Sequence, residues 1–206
     1  MRTQKDMTRR VELVTESKLE WLLKRASESV CRATLARLRR GVGRAPGEIP
    51  ALWGILLQDM PEDMQASGRT ASHQEIAIYT ALTLFAVHQQ GWNPQSRPMH
   101  QRDCTLGGAM ARLITPSDED SRNRVERRFS QAATALDMSE FSHHLRGLVQ
   151  LLGAQGIPLD WARLAGQVFA YQNPERVGQV RLRWGEEFYT AINREKDNHD
   201  EEEKTV

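Results

Sequence analysis

An all-α fold is predicted by three features of this 206-residue chain. Apolar residues recur at helical rather than alternating spacing, cap and proline signals punctuate them, and no convincing alternating strand is present. The expected architecture is two small helical lobes, residues 1–115 and 116–194. The second lobe reads as an antiparallel four-helix bundle, with a disordered acidic tail at 195–206.

Leu19, Leu22, Leu23, Ala26 and Val30 follow the i, i+3, i+4, i+7, i+11 stripe of one helix lying on a core. A short helix from about Thr34 to Arg40 ends at Gly41, Gly43 and Pro46. Ile49, Leu52, Trp53, Leu56 and Leu57 form the next stripe, with Pro50 in its first turn. Ser72 and Glu75 read as a capping box opening a helix to His88 that is apolar on most sides, hence the buried centre of this half. A proline-containing loop, Gly91–Asp103, leads to a short helix from Leu106 to Ile114. Thr115–Asp120, with Pro116 and a Ser117 cap, marks the boundary between lobes.

Four amphipathic segments follow. Val125, Phe129, Ala132, Ala133 and Leu136 line the first; Phe141, Leu145, Leu148 and Leu152 line the second, which Gly153 and Gly156 stop. Asp160 caps a third containing Trp161, Leu164, Ala165, Val168 and Phe169, and Asn173-Pro174 starts a fourth containing Val177, Val180, Trp184, Phe188 and Ile192. The tryptophans fall mostly in apolar stripes and are expected in the core; Trp92, in a loop, is the one kept as a contact residue.

A chain this long can bury roughly 70% of its unfolded surface, so it needs no staples. Cys31 and Cys104 cannot form a disulfide framework and read as small buried residues in a reducing, cytoplasmic setting. No apolar run approaches the ~20 residues of a membrane span, and the basic N-terminus leads into an amphipathic pattern rather than a signal peptide.

The net charge of +1 hides an asymmetry. Residues 195–206 carry six acids against two lysines, a balance of −4, leaving 26 basic and 21 acidic side chains, +5, in the rest. Of the 28 basic residues 23 are arginine, whose planar fork suits phosphate. The tail is expected to compete with phosphate for these arginines. Arg32, Arg37, Arg39, Arg40 and Arg44 form one cluster with no acid between Val30 and Gly47. Arg122, Arg124, Arg127 and Arg128 form a second, with 124, 127 and 128 at i, i+3, i+4. Arg97, His100 and Arg102 form a third, and Arg176, Arg181 and Arg183 a fourth. Arginines spread over both halves suit a track for a nucleic-acid backbone.

Catalytic signals are poor. His143 and His144 are adjacent and point to different helix faces, His199-Asp200 lies in the tail, and neither cysteine has a CxxC partner. No enzyme activity, cofactor or metal is expected.

These residues together resemble the CasB family, the small subunit of the type I-E CRISPR effector Cascade. The likeness lies in Cys104-Thr-Leu-Gly-Gly-Ala-Met-Ala-Arg-Leu, Glu126-Arg-Arg-Phe, His144-Leu-Arg-Gly-Leu-Val-Gln-Leu-Leu, Ile157-Pro-Leu-Asp-Trp-Ala-Arg-Leu-Ala and Val180-Arg-Leu-Arg-Trp-Gly-Glu-Glu-Phe-Tyr. Ala36-Arg-Leu-Arg-Arg and Glu48-Ile-Pro-Ala-Leu-Trp extend it, covering about residues 18–192.

The resemblance implies a non-catalytic protein paired with a second copy of itself inside a ribonucleoprotein. Its implied partners are the backbone and large subunits, the guide RNA, and the target and displaced DNA strands of the R-loop. Carried over by motif, Arg39 or Arg40, Arg127, Arg128 and Arg146 match family arginines; Arg102 is a looser match, and Arg176 falls among basic residues opening the last helix. Gly108 stands where some relatives have arginine. With Arg37, Arg44, Arg97 and Arg124 from the clusters, these are the expected nucleic-acid contacts. A helical protein–protein adaptor with incidental nucleic-acid affinity is the alternative.

Overall fold

The structure is a computed structural model describing residues 4–115 and 118–203, with side chains through Arg194. Among the described residues there are nine α-helices and no strand: α1 (Gln4–Glu20), α2 (Glu28–Arg39), α3 (Trp53–Leu57), α4 (His73–His88), α5 (Leu106–Ala111), α6 (Glu119–Ala133), α7 (Met138–Gln155), α8 (Trp161–Tyr171) and α9 (Val177–Glu203). The expected all-α class holds. No helix of the described residues is long and apolar enough to cross a membrane.

The N-terminal stripe is divided differently from its periodicity. Helix α1 begins at Gln4, a π-helical turn spans Trp21–Arg25, and Ala26 turns extended at ψ 143°. The Ser27 side chain then accepts the Val30 N–H and starts α2, which buries Cys31, Thr34, Leu35 and Leu38 while Val30 stays exposed. A local cap thus overrides a stripe that runs on in register. The 49–57 stripe likewise yields only a 3₁₀ turn, Pro50–Leu52, and the five-residue α3. Trp21 and Trp53 are 47% and 48% exposed, so two of the five tryptophans lie outside the core.

Other signals translate directly. The Ser72 hydroxyl accepts the Glu75 N–H at 3.0 Å, and the Glu75 carboxylate accepts the Ser72 N–H at 2.7 Å. Helix α4 is buried along most of its length. Asp160 caps α8 by accepting the Arg163 N–H at 2.9 Å, and Gly156 ends α7 at φ 62°. Ser117 lies outside the described residues; Asp118 caps α6 by accepting the Ser121 N–H at 2.9 Å. Helical backbone continues in α9 to Glu203, through much of the segment expected to be disordered.

The helices share one core. α1 lies on α8, α8 also packs on α4, α5 lies on α9, α6 pairs with α7, and α2 and α7 flank α4. Helices α6 to α9, expected as a separate bundle, therefore share their core with α1, α4 and α5, and packing crosses the expected 115/116 boundary. Phe141 and Trp184 stack at 5.9 Å between centroids, with Tyr171 4.6 Å from the Phe141 ring. Burying such side chains contributes about 1.5–3 kcal/mol each. The Leu106-Gly-Gly segment has a steric reason: a Cβ on Gly107 would lie 2.7 Å from the Phe188 backbone nitrogen and against the Trp184 carbonyl. Only glycine lets α5 lie this close to α9.

Candidate nucleic-acid interface

The first arginine cluster runs from Arg32, early in α2, through Arg37 and Arg39 at its end to Arg40 and Arg44 in the turn after it. Arg32 pairs with Glu28 at 3.1 Å and Arg44 with Glu48 at 3.6 Å, both i, i+4 contacts reaching in from the cluster's flanks. Arg39 is half-buried and donates to the Ala86 carbonyl at the end of α4 at 3.3 Å. Arg37 and Arg40 are exposed.

On α6, Arg122 is held by Glu126 at 2.9 Å, which raises its pKa, and Arg124 meets Asp118 at 3.5 Å. Arg127 and Arg128 are exposed and form no ion pair within the described residues. Arg124 and Arg128 line a groove of about 660 Å³ with Arg112, from the turn after α5, and Leu151, Ala154 and Gln155 of α7. Among the described residues no carboxylate lines this groove. Arg127 does not line it, so the groove takes two of the three arginines spaced i, i+3, i+4. Arg112 falls outside the four arginine clusters of the sequence; its place in the Ala-Met-Ala-Arg-Leu run is the signal that marks it.

The third cluster is occupied by structure. The Arg97 guanidinium lies 3.9 Å from the Trp92 ring centroid and donates to the Gly156 carbonyl at 3.5 Å, while the Trp92 indole N–H donates to Gly153 at 2.8 Å. Trp92 thus fastens its loop to the end of α7. Arg102 binds Glu16 at 2.7 Å and Glu20 at 3.5 Å, and the Glu16 contact raises its pKa. In the fourth cluster, Arg176 donates to Thr8 at 2.9 Å, and Arg181 to the Ala135 carbonyl and Tyr171 hydroxyl at 3.4 Å. Arg163 and Arg183 share Glu187.

Arg146, exposed on α7, faces a second cleft of about 470 Å³ with Arg44 and His143. Its walls are the 41–46 turn, α4 (Ile76, Tyr79, Thr80, Thr83, Leu84) and the start of α7 (Met138, Ser139, Ser142). Sequence separation hid the meeting of Arg44 and Arg146.

Glu16, His100 and Asp160 could in principle gather round a cation, since their ligand atoms lie within 4.8 Å. Each is already engaged. His100 Nδ1 accepts the Trp161 N–H at 3.2 Å, so Nε2 carries the proton and donates to Glu16 at 2.9 Å. Asp160 accepts the N–H groups of Arg163 and Asp103, and Arg102 supplies the positive charge on Glu16. The set is a latch joining α1, the 91–105 loop and α8. His143 and His144 have ring centroids 5.5 Å apart; His143 faces the 470 Å³ cleft and His144 approaches Glu140 at 3.7 Å. Burial raises the pKa of both free thiols, Cys31 and Cys104, away from nucleophilic character.

The chain is in class an all-helical protein, with two clefts lined by arginines and, among the described residues, by no carboxylate. The particular family follows from comparison: residues 34–189 match the family of the CRISPR-associated protein Cse2, and the chain belongs to it. The crystal structure of CasB from Thermobifida fusca is 32% identical with a TM-score of 0.71, covering 86% of this chain and 97% of that one. CasB from M. ruber is 25% identical with a TM-score of 0.61, covering 89% and 96%. A chain of a CRISPR RNA-guided surveillance complex shares the fold at TM-score 0.68 and 20% identity, covering 93% and 99%. No curated protein matches.

Proposed function

We propose that this chain is the non-catalytic small subunit of a type I-E CRISPR RNA-guided complex, Cascade, acting in the cytoplasm. It binds nucleic-acid backbone and stabilises the target-DNA R-loop beside a second copy of itself, the backbone and large subunits and the guide RNA. The observation that carries this reading is the groove in which Arg112, Arg124 and Arg128 converge without a lining carboxylate. Such a surface attracts phosphates through charge and leaves sequence recognition to base pairing. The free thiols support a reducing compartment.

The test replaces Arg112, Arg124 and Arg128 by alanine and measures single-strand binding across salt concentrations. Each lost phosphate contact lowers the log–log slope by about 0.7, equally for unrelated sequences. An unchanged slope would sink the assignment. Purified protein is expected to leave RNA and DNA uncut with Mg²⁺, Mn²⁺ or Zn²⁺; metal-dependent cleavage lost in His143→Ala or His144→Ala would overturn the non-catalytic reading.

The adaptor reading draws on α9, where Leu182 and Tyr189, seven residues apart on one face, are 65% and 49% exposed. It predicts that the triple arginine variant keeps its salt slope and fails to assemble with partner subunits, the reverse of the outcome expected here.

A further inference from the structure

We propose that the cleft between the 41–46 turn, α4 and α7 is a receptacle for one unstacked nucleotide of a bound strand. The inference rests on the nucleic-acid-binding reading above and adds a base-holding site to it.

Three properties of the cleft converge on this ligand. The first is charge. Arg44 and Arg146 approach from different walls, and among the described residues no carboxylate lines the space. Glu48 meets Arg44 only at 3.6 Å, with both side chains about half or more exposed, so a phosphate can take its place. Arg146 makes no ion pair within the described residues. The second property is apolar wall. Val42, Ile76 and Met138 are each only partly buried and line the space, offering surface to the face of a ring. The third is hydrogen-bonding capacity. Thr80, Ser139, Ser142 and His143 line the same space and can meet the donors and acceptors on a base edge.

No simpler ligand uses all three. A lone phosphate has no use for aliphatic walls, and a purely apolar ligand has none for two arginines. The volume of about 470 Å³ lies within the ~300–1,000 Å³ typical of small-molecule sites. The walls are also preformed: the Tyr79 hydroxyl donates to the Gly41 carbonyl at 3.0 Å, fixing the turn to α4, and Glu48 accepts the Ala45 N–H at 3.0 Å within the turn. The cleft need not be assembled by the strand, which lowers the ordering cost of binding.

The experiment compares a 15-residue thymidine strand with an all-abasic strand of equal length, so that phosphates match and bases differ. Both are titrated into the full chain and into Ser142→Trp, which fills the cleft from α7. The wild type is expected to bind the base-bearing strand at least fivefold more tightly, since one base contact is worth about 1–3 kcal/mol. Ser142→Trp should abolish that preference while keeping the salt slope. Equal affinity for both strands in the wild type, or a preference that survives in Ser142→Trp, overturns the receptacle and leaves backbone binding standing. Absence of binding to either strand refutes the backbone reading itself, and the receptacle with it. Should Ser142→Trp lose helicity, His143→Trp, at an exposed position, takes its place with the same expected outcomes. Free thymidine monophosphate, followed by amide shifts of Gly43, Ser142 and His143, separates the sources: binding tighter than the strand's would assign the cleft to a free nucleotide and overturn the strand proposal.

Discussion

Two clefts of similar size carry opposite electrostatic designs. The one between α1, the 91–105 loop and α8, about 400 Å³, is lined by Arg9, Arg102 and Arg163 together with Glu12, Glu16, Asp103 and Asp160. The one between the 41–46 turn, α4 and α7, about 470 Å³, holds Arg44, Arg146 and His143 and, among its described residues, no acid. In the first, arginines are tied to neighbouring carboxylates; in the second, Arg146 has no ion pair among the described residues and Arg44 has only the exposed 3.6 Å contact with Glu48. An arginine's presence in a cluster is therefore a weak guide to phosphate contact, and the carboxylates that fold onto it decide the matter. By this measure Arg112, Arg128 and Arg146 are the stronger candidates, Arg44 is loosely held by Glu48 at 3.6 Å, and Arg97, Arg102 and Arg176 are already engaged in packing.

The largest expected effect tests the joint between the two regions. His88 is fully buried, its Nδ1 accepting the Trp161 indole N–H at 3.1 Å, and burial pushes its pKa down to about 4 from 6.5. The folded state keeps His88 neutral while the unfolded chain takes up a proton below 6.5. This contribution is whole above pH 6.5, falls as the pH drops, and levels off near 4, for a loss of about 3 kcal/mol. Urea unfolding across that window should show the decline, and His88→Gln, which retains an acceptor without titrating, should flatten it.

A somewhat smaller effect would break the comparison directly. Glu16→Ala strips His100 and Arg102 of their shared carboxylate and is expected to cost about 2 kcal/mol in thermal or urea unfolding. It should also release Arg102, so that single-strand affinity rises at low salt and the slope steepens by up to about 0.7. Unchanged strand binding in a folded Glu16→Ala protein would show that availability alone does not make an arginine a contact.

The smallest effect sharpens the contrast. Arg183, held by Glu187 at 3.1 Å and exposed, should be replaceable by alanine with stability changed by less than about 1 kcal/mol and no change in salt slope. A slope lowered as far as by Arg128→Ala would erase the distinction between engaged and available arginines.

Much of the fold was legible because local chemistry and periodicity agreed. The Ser72–Glu75 box, the Asp160 cap and the stripes of α6 to α9 each specify a helix with no help from distant residues. The N-terminal third was harder. Ser27 breaks a stripe that continues in register, and the earlier part of α1 carries too few apolar residues to declare itself, although Val11, Thr15 and Leu19 are buried. For the interface, composition and clustering located the arginines but not their partners. Glu16 lies more than 80 residues from Arg102, and Arg44 about 100 from Arg146, so which arginines are engaged is a tertiary property. The pairs Glu28–Arg32 and Arg44–Glu48 are different: their i, i+4 spacing was present in the sequence, just outside the acid-free window.

The seam between α1 and α8 carries a practical consequence for anyone trimming the chain. The family match begins at residue 34, which invites truncation to that point. Yet Gly166 of α8 accommodates Glu12, whose Cγ would lie 2.7 Å from a Cβ there, and Val11, Thr15 and Leu19 are buried. A shortened protein starting at residue 34 would present the α8 surface beneath α1 to solvent, an apolar strip prone to self-association. Proteolytic cleavage between α1 and α2 should accordingly leave the two fragments bound to each other under native conditions and separable only in denaturant.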